Sequence, residues 1–186
     1  MLDRLAQQVD RLSTRRHFFL LLIATLITLL IVNLIDLPWT LPAFKRLTNG
    51  LNILDMEFHY SAAHAYAMLN GYGSAGRALY LHILWPVDVF IPLVVSSFLA
   101  VAITMAWRKD AAQRPWMRYL FLLGVLAGLF DYAENMSITV LLLSYPRRLE
   151  GVANFAGYMT STKHVMYQVA LWAAVIGGGR TWMRGR

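Results

Sequence analysis

Asp131, Glu134 and Asn135 stand in the stretch GLFDYAENMSIT, residues 128–139, near the middle of an apolar block running from Met117 to Ser144. Carboxylates at i and i+3 share one helical face, where they can share a proton, hold a cation or serve as acid and base. A second polar set, Lys163, His164 and Tyr167, stands in the middle of the block from Val152 to Gly177. Asp88 lies about ten residues into a third block, Ala78 to Trp107, or ~15 Å from its start at the helical rise. Pro86 and Pro92 bracket it, and prolines loosen the backbone ladder of a span.

Cost decides how these groups are read. One Asp or Lys at the centre of a membrane helix costs about 2.5–3.5 kcal/mol on the insertion scale. Such groups must face inward, and Lys163 is the natural partner of Asp131 or Glu134. Pairing leaves acids over, and these must be protonated, meet water or bind a cation. The expected ligand- or ion-binding set is therefore Asp88, Asp131, Glu134, Asn135, Lys163, His164 and Tyr167. Gly124 and Gly128 lie on the Asp131 face and permit close helix approach.

The elements that must position these residues follow from composition. Of 186 residues, 58% are hydrophobic and 15% charged, whereas a soluble domain carries about a quarter charged residues. The excess is in long blocks, so lipid is the expected solvent. The chain reads as one all-α domain, an integral membrane four-helix bundle. Residues 1–16 form an amphipathic helix on the inner leaflet. The spans are 17–37, 78–107, 117–144 and 152–177, the last ended by Gly177, Gly178 and Gly179. The first span reads as a retained anchor, since Leu37, Pro38 and Trp39 follow it and no small-residue cleavage site does.

Eleven basic residues flank the N-terminus, the second connection and the C-terminus, from Arg4 to Arg186, against five on the other side, Lys45, Arg46, Arg77, Arg147 and Arg148. The bias places both termini in the cytoplasm, in an inner or plasma membrane. The net charge of +7 is thereby explained by topology, and nucleic acid is not an expected partner. Cysteine is absent, which excludes disulfide exchange and thiolate chemistry.

Residues 38–77 form the one long connection, an outer capping segment. Leu54, Met56, Phe58 and Tyr60 alternate with Asp55, Glu57 and His59, a period of two that predicts an extended stretch. Asp55, Glu57, His59 and nearby His64 are a candidate metal set, with a plain wet face as the alternative. Ser61 is placed to cap a short helix that Gly71 ends. GYGSAG, residues 71–76, matches a dinucleotide fingerprint in letters but lacks its strand–turn–helix context. It leaves a helix N-terminus beside Ser74 and Arg77, a candidate lipid-headgroup site. No cofactor is expected: His17, His82 and His164 lie at unequal depths, which does not suit a haem.

These residues point to a binding or transport-type role for a proton, a cation or a small polar or lipid-derived ligand. Two rivals are a membrane-embedded enzyme acting on a lipid or isoprenoid by carboxylate acid–base chemistry, and a non-catalytic structural subunit. Membrane lipid is the expected partner, with a homo-oligomer or larger membrane complex beside it.

Overall fold

The computed structural model describes residues 1–84 and 87–184. Pro86, read above as one bracket of Asp88, and Arg186, counted among the basic flanks, lie outside the described residues. Among the described residues every regular element is helical.

The N-terminal helix α1 (Leu2–Leu12) is amphipathic and buries Ala6, on the same side as Asp3 and Asp10. Thr14 then caps α2 (Arg15–Leu34), its hydroxyl accepting from the His17 amide at 3.3 Å. The connection that follows holds α3 (Leu41–Leu47), a 3₁₀ turn (Leu54–Met56) and α4 (Ala62–Gly71). Next come α5 (Gly73–Leu84) and α6 (Phe90–Gln113), a second 3₁₀ turn (Pro115–Tyr119), α7 (Leu122–Ser144) and α8 (Glu150–Met183). The most extensive packing is between α7 and α8, with α6 against both.

Among the described residues three helical stretches are long and apolar enough to cross a membrane: Arg15–Leu34, Phe90–Gln113 and Pro115–Ser144. That is consistent with a membrane protein, but it is three, not the four expected. The fourth, α8, is 34 residues long, yet Thr160, Ser161, Thr162, Lys163, His164 and Gln168 dilute the hydropathy of its middle.

The second expected span is not one helix. It is α5 and α6, separated by a turn around Val87 to Val89. Nor does the glycine triplet end α8. Helix continues to Met183, and Gly177 instead admits the Trp107 ring, whose Nε1 donates to the Ala173 carbonyl at 2.9 Å. A Cβ at Gly177 would lie 2.5 Å from that nitrogen. Trp107 thus packs α6 against α8.

The outer segment is also different in detail. Residues 54–56 close a 3₁₀ turn, with the Met56 and Glu57 amides donating to Ile53 and Leu54 carbonyls at 3.2 and 3.0 Å. The turn breaks the alternation. Leu54 and Tyr60 are buried, Met56 and Phe58 are exposed, and Asp55 turns inward. Ser61 caps α4 as its sequence predicts, accepting from the His64 amide. The left-handed residue after α4 is Gly73 (φ +63°), not Gly71, and it opens α5.

The basic segments gather at one end. Arg108 on α6 donates to the Asp10 carboxylate and to the carbonyls of Asp10 and Ser13, all at 2.8 Å, so it both pairs with α1 and satisfies its last carbonyls. Arg118 pairs with Asp3 at 2.6 Å, and Arg184 with Asp110 at 2.8 Å. The Tyr119 hydroxyl and the Arg118 charge hold the Asp3 carboxyl below its ordinary value. At the other end, α4 packs on the α7–α8 connection, with the Tyr66 hydroxyl meeting Arg147 and Leu149 backbone.

Candidate functional site

Helix spacing gathers the site. Asp131, Glu134 and Asn135 fall on the inward face of α7, and Thr160, Lys163 and Tyr167, at i, i+3 and i+7, on the facing side of α8. Glycines bring the helices close enough for short side chains to meet. A Cβ at Gly124 would lie 2.9 Å from the Ala100 amide of α6, and one at Gly128 would lie 2.8 Å from the Ser96 hydroxyl.

Lys163 is the centre, 4% exposed. Its Nζ donates to the Asp55 carboxylate, pairs with Glu134 Oε2, and lies 3.4 Å from Asp131 Oδ1. Two of the carboxylates have a further donor: the Thr160 hydroxyl reaches Glu134 Oε1, and the Tyr167 hydroxyl donates to Asp131 Oδ2 at 2.9 Å. The Asp55 backbone amide donates to the Tyr80 hydroxyl at 3.2 Å, fixing that turn. Glu134 is 0% exposed. Burial pushes the Asp55 carboxyl up, but the Lys163 charge and the hydrogen bonds around it leave it below its ordinary value.

Asp131, Glu134, Lys163 and Tyr167 therefore come together as their spacing predicts. Asn135 and Asp88 sit beside them: the Asn135 amide donates to the Asp88 carbonyl at 3.0 Å. Asp88 lines a cavity that also touches Asp55 and Asp131. His164 does not join. One residue on from Lys163, it is turned about 100° around the helix, where Nε2 meets the Glu57 carbonyl at 3.0 Å and the ring stacks on Phe58.

The candidate metal set of the outer segment is dispersed. Asp55 enters the cluster, His59 Nδ1 contacts Ser161 Oγ at 3.0 Å and the Gly157 carbonyl at 3.2 Å, Glu57 is half-buried, and His64 is exposed on α4. The group of acids that does converge is Asp55, Asp131 and Glu134, with oxygens within 4.8 Å of one another. The Lys163 ammonium stands among them and supplies the positive charge that a metal otherwise would. Ser74 is exposed, whereas Arg77 folds back to donate to the Leu69 carbonyl at 2.8 Å and lies 3.9 Å over the Tyr145 ring.

Asp55 is the member that sequence periodicity missed. Its signal is in the partner helix: Ala153, Ala156 and Gly157 make a flat strip at i, i+3 and i+4 on α8. The outer segment lies on that strip so closely that a Cβ at Gly157 would come within 2.0 Å of the Tyr60 carbonyl oxygen. Leu54 and Tyr60 anchor the turn on either side of Asp55 and deliver its carboxylate to Lys163. Searches for similarity to known families, to characterised proteins and to solved structures find no match for this chain.

Proposed function

We propose that this chain is a multi-pass inner-membrane protein of four spans with both termini in the cytoplasm. Its buried carboxylate–lysine cluster binds a proton, a cation or a small polar or lipid-derived ligand, or passes it across the membrane. The observation that carries the reading is the imbalance inside: four carboxyl groups, Asp55, Asp88, Asp131 and Glu134, against one ammonium. A purely structural ion pair needs one acid, and polar contacts that only hold helices together are worth about 0.6 kcal/mol on average, which Ser or Thr can supply. The surplus acids need protons or a cation, which is what a binding centre takes up and releases.

The case for α8 as the fourth span is geometric. At 34 residues it is ~51 Å long by its rise, more than a bilayer core needs. Its polar side is turned in, with Thr160 and Lys163 buried, while Phe155, Val165, Val169, Trp172 and Ile176 are exposed. Average hydropathy misses a helix of this kind. The clustering of basic segments at one end supports the cytoplasmic side being that end.

The test compares wild type with Asp131→Asn and Lys163→Met, purified in detergent and melted from acid to alkaline pH with panels of cations and lipids. Lys163→Met strands buried acids and loses about 3–5 kcal/mol at neutral pH, and recovers part of it in acid as carboxylates take protons. Wild type responds to an added proton, cation or lipid in a way that the variants do not. If both variants melt and respond like wild type throughout, the reading is wrong.

A further inference from the structure

Beside Lys163 and the ring of three acids around its ammonium lies a cavity of about 160 Å³. Its polar wall is Asp55, Asp88, Asp131 and Asn33, and its apolar wall includes Val32 of α2 and Pro92 of α6. Asp88 is the group that nothing described so far accounts for. It is 6% exposed, its Oδ2 has no hydrogen-bond partner among the described residues, and no contact of Lys163 reaches it.

The backbone explains how Asp88 is held there. In a continuous helix the Asp88 carbonyl would accept from the amide four residues on, which is Pro92 and has no N–H. Asn135 takes that carbonyl instead. The turn between α5 and α6 is thereby pinned to α7, and the Asp88 side chain is presented to the cavity. A buried carboxylate oxygen with no donor among the described residues, on a group that Lys163 does not contact, is costly, so a fold that holds one in this place has a use for it.

The donor chemistry narrows what it takes. Among the described residues no imidazole or thiolate lines the cavity. Apart from the Met56 thioether, its donors are oxygens: carboxylates of Asp55, Asp88 and Asp131, and the Asn33 amide oxygen, whose Nδ2 is committed to the Leu29 carbonyl at 2.8 Å. Oxygen-only, acid-rich sets suit hard cations. The volume corresponds to roughly five waters at ~30 Å³ each, room for an ion keeping part of its hydration.

We infer that this cavity binds a hard inorganic cation, alkali or alkaline-earth, with Asp88 as the ligand not shared with Lys163. The inference rests on the binding reading above and names its ligand. Lys163 then neutralises the fixed part of the cluster, and the exchangeable ion neutralises the rest.

The test keeps choline chloride as the only salt, then exchanges it for sodium, potassium, magnesium or calcium at matched ionic strength. Thermal midpoint and radioisotope flow dialysis report binding. One or more of these ions raises the wild-type midpoint saturably and binds. Asp88→Asn abolishes both effects and, having lost an unpaired buried charge, melts in choline no lower than wild type. Should Asp88→Asn fail to fold, Asn33→Ala on the exposed side of α2 serves, weakening the ion by about tenfold with the choline midpoint unchanged. If no ion differs from choline in wild type, or a folded Asp88→Asn or Asn33→Ala responds as wild type does, the cavity is not a cation site. Persistence of the pH response of Lys163→Met in that case leaves the binding reading standing; its absence removes both.

Discussion

Lys163 has three acids as neighbours and Glu134 has one base, and that asymmetry sets what each substitution does. Removing the ammonium leaves every acid in the ring without its counter-charge. Removing one acid leaves Lys163 still paired with Asp55 and Asp131. Glu134→Gln is therefore expected to cost about 1–3 kcal/mol, mainly through the lost ionic partner of the ammonium and a weakened bond from Thr160, clearly less than Lys163→Met. Chemical denaturation of the two variants in one detergent checks this, and equal losses contradict it. At this scale much of the site was legible. Asp131 and Lys163 announce themselves because an ion at mid-span must find a partner. Asp55 stayed hidden, because nothing in the alternation of residues 54–60 reveals that Leu54 anchors a tight turn and swings its neighbour inward.

At the scale of elements, the contact between the outer segment and α8 governs the site. Gly157 is the narrowest point, and the obstruction a side chain would meet there is backbone, which cannot rotate away. Gly157→Ala is expected to lift the segment, withdraw Asp55 from Lys163 and cost about 1–3 kcal/mol. Adding Asp55→Asn to it then costs little more, whereas in the wild-type background that change is damaging; a double-mutant cycle by thermal melting reads the difference, and additive losses refute it. The apolar blocks identify α2, α6 and α7 well, because their length and hydropathy leave no alternative. The break between α5 and α6 was legible only as a hint, since apolar residues continue on both sides of it and Pro86 and Pro92, each without an amide N–H, loosen a span without dictating that it stops. The polar centre of α8 hides it from a hydropathy count, because its inward face carries Thr160 and Lys163.

For the whole molecule, the proposed arrangement divides the surface between two compartments, and the natural absence of cysteine makes that division easy to read. Ser74 and Gln113 are both exposed and stand at opposite ends. With an impermeant maleimide on intact spheroplasts, Ser74→Cys is expected to label at once and Gln113→Cys only after lysis. The reverse pattern inverts the topology. The gathering of basic segments at one end was legible from charge bias alone. The way α1 is held there was not, since it depends on Arg108 meeting the last carbonyls of that helix across ninety-eight residues of sequence.

α2 is the least embedded of the long helices, with 11% of its apolar window buried, and it leans mainly on α6 and α3. Yet Leu29, Val32 and Asn33 of this helix close one side of the acidic cavity. Twenty residues give it a length of ~30 Å, close to the thickness of a typical hydrocarbon core. Set in a thinner bilayer such a helix tilts, and in a thicker one it has no slack to do so. Few contacts resist that tilt, so acyl-chain length becomes a lever on the cavity wall, and the choice of lipid for reconstitution becomes an experimental variable in its own right.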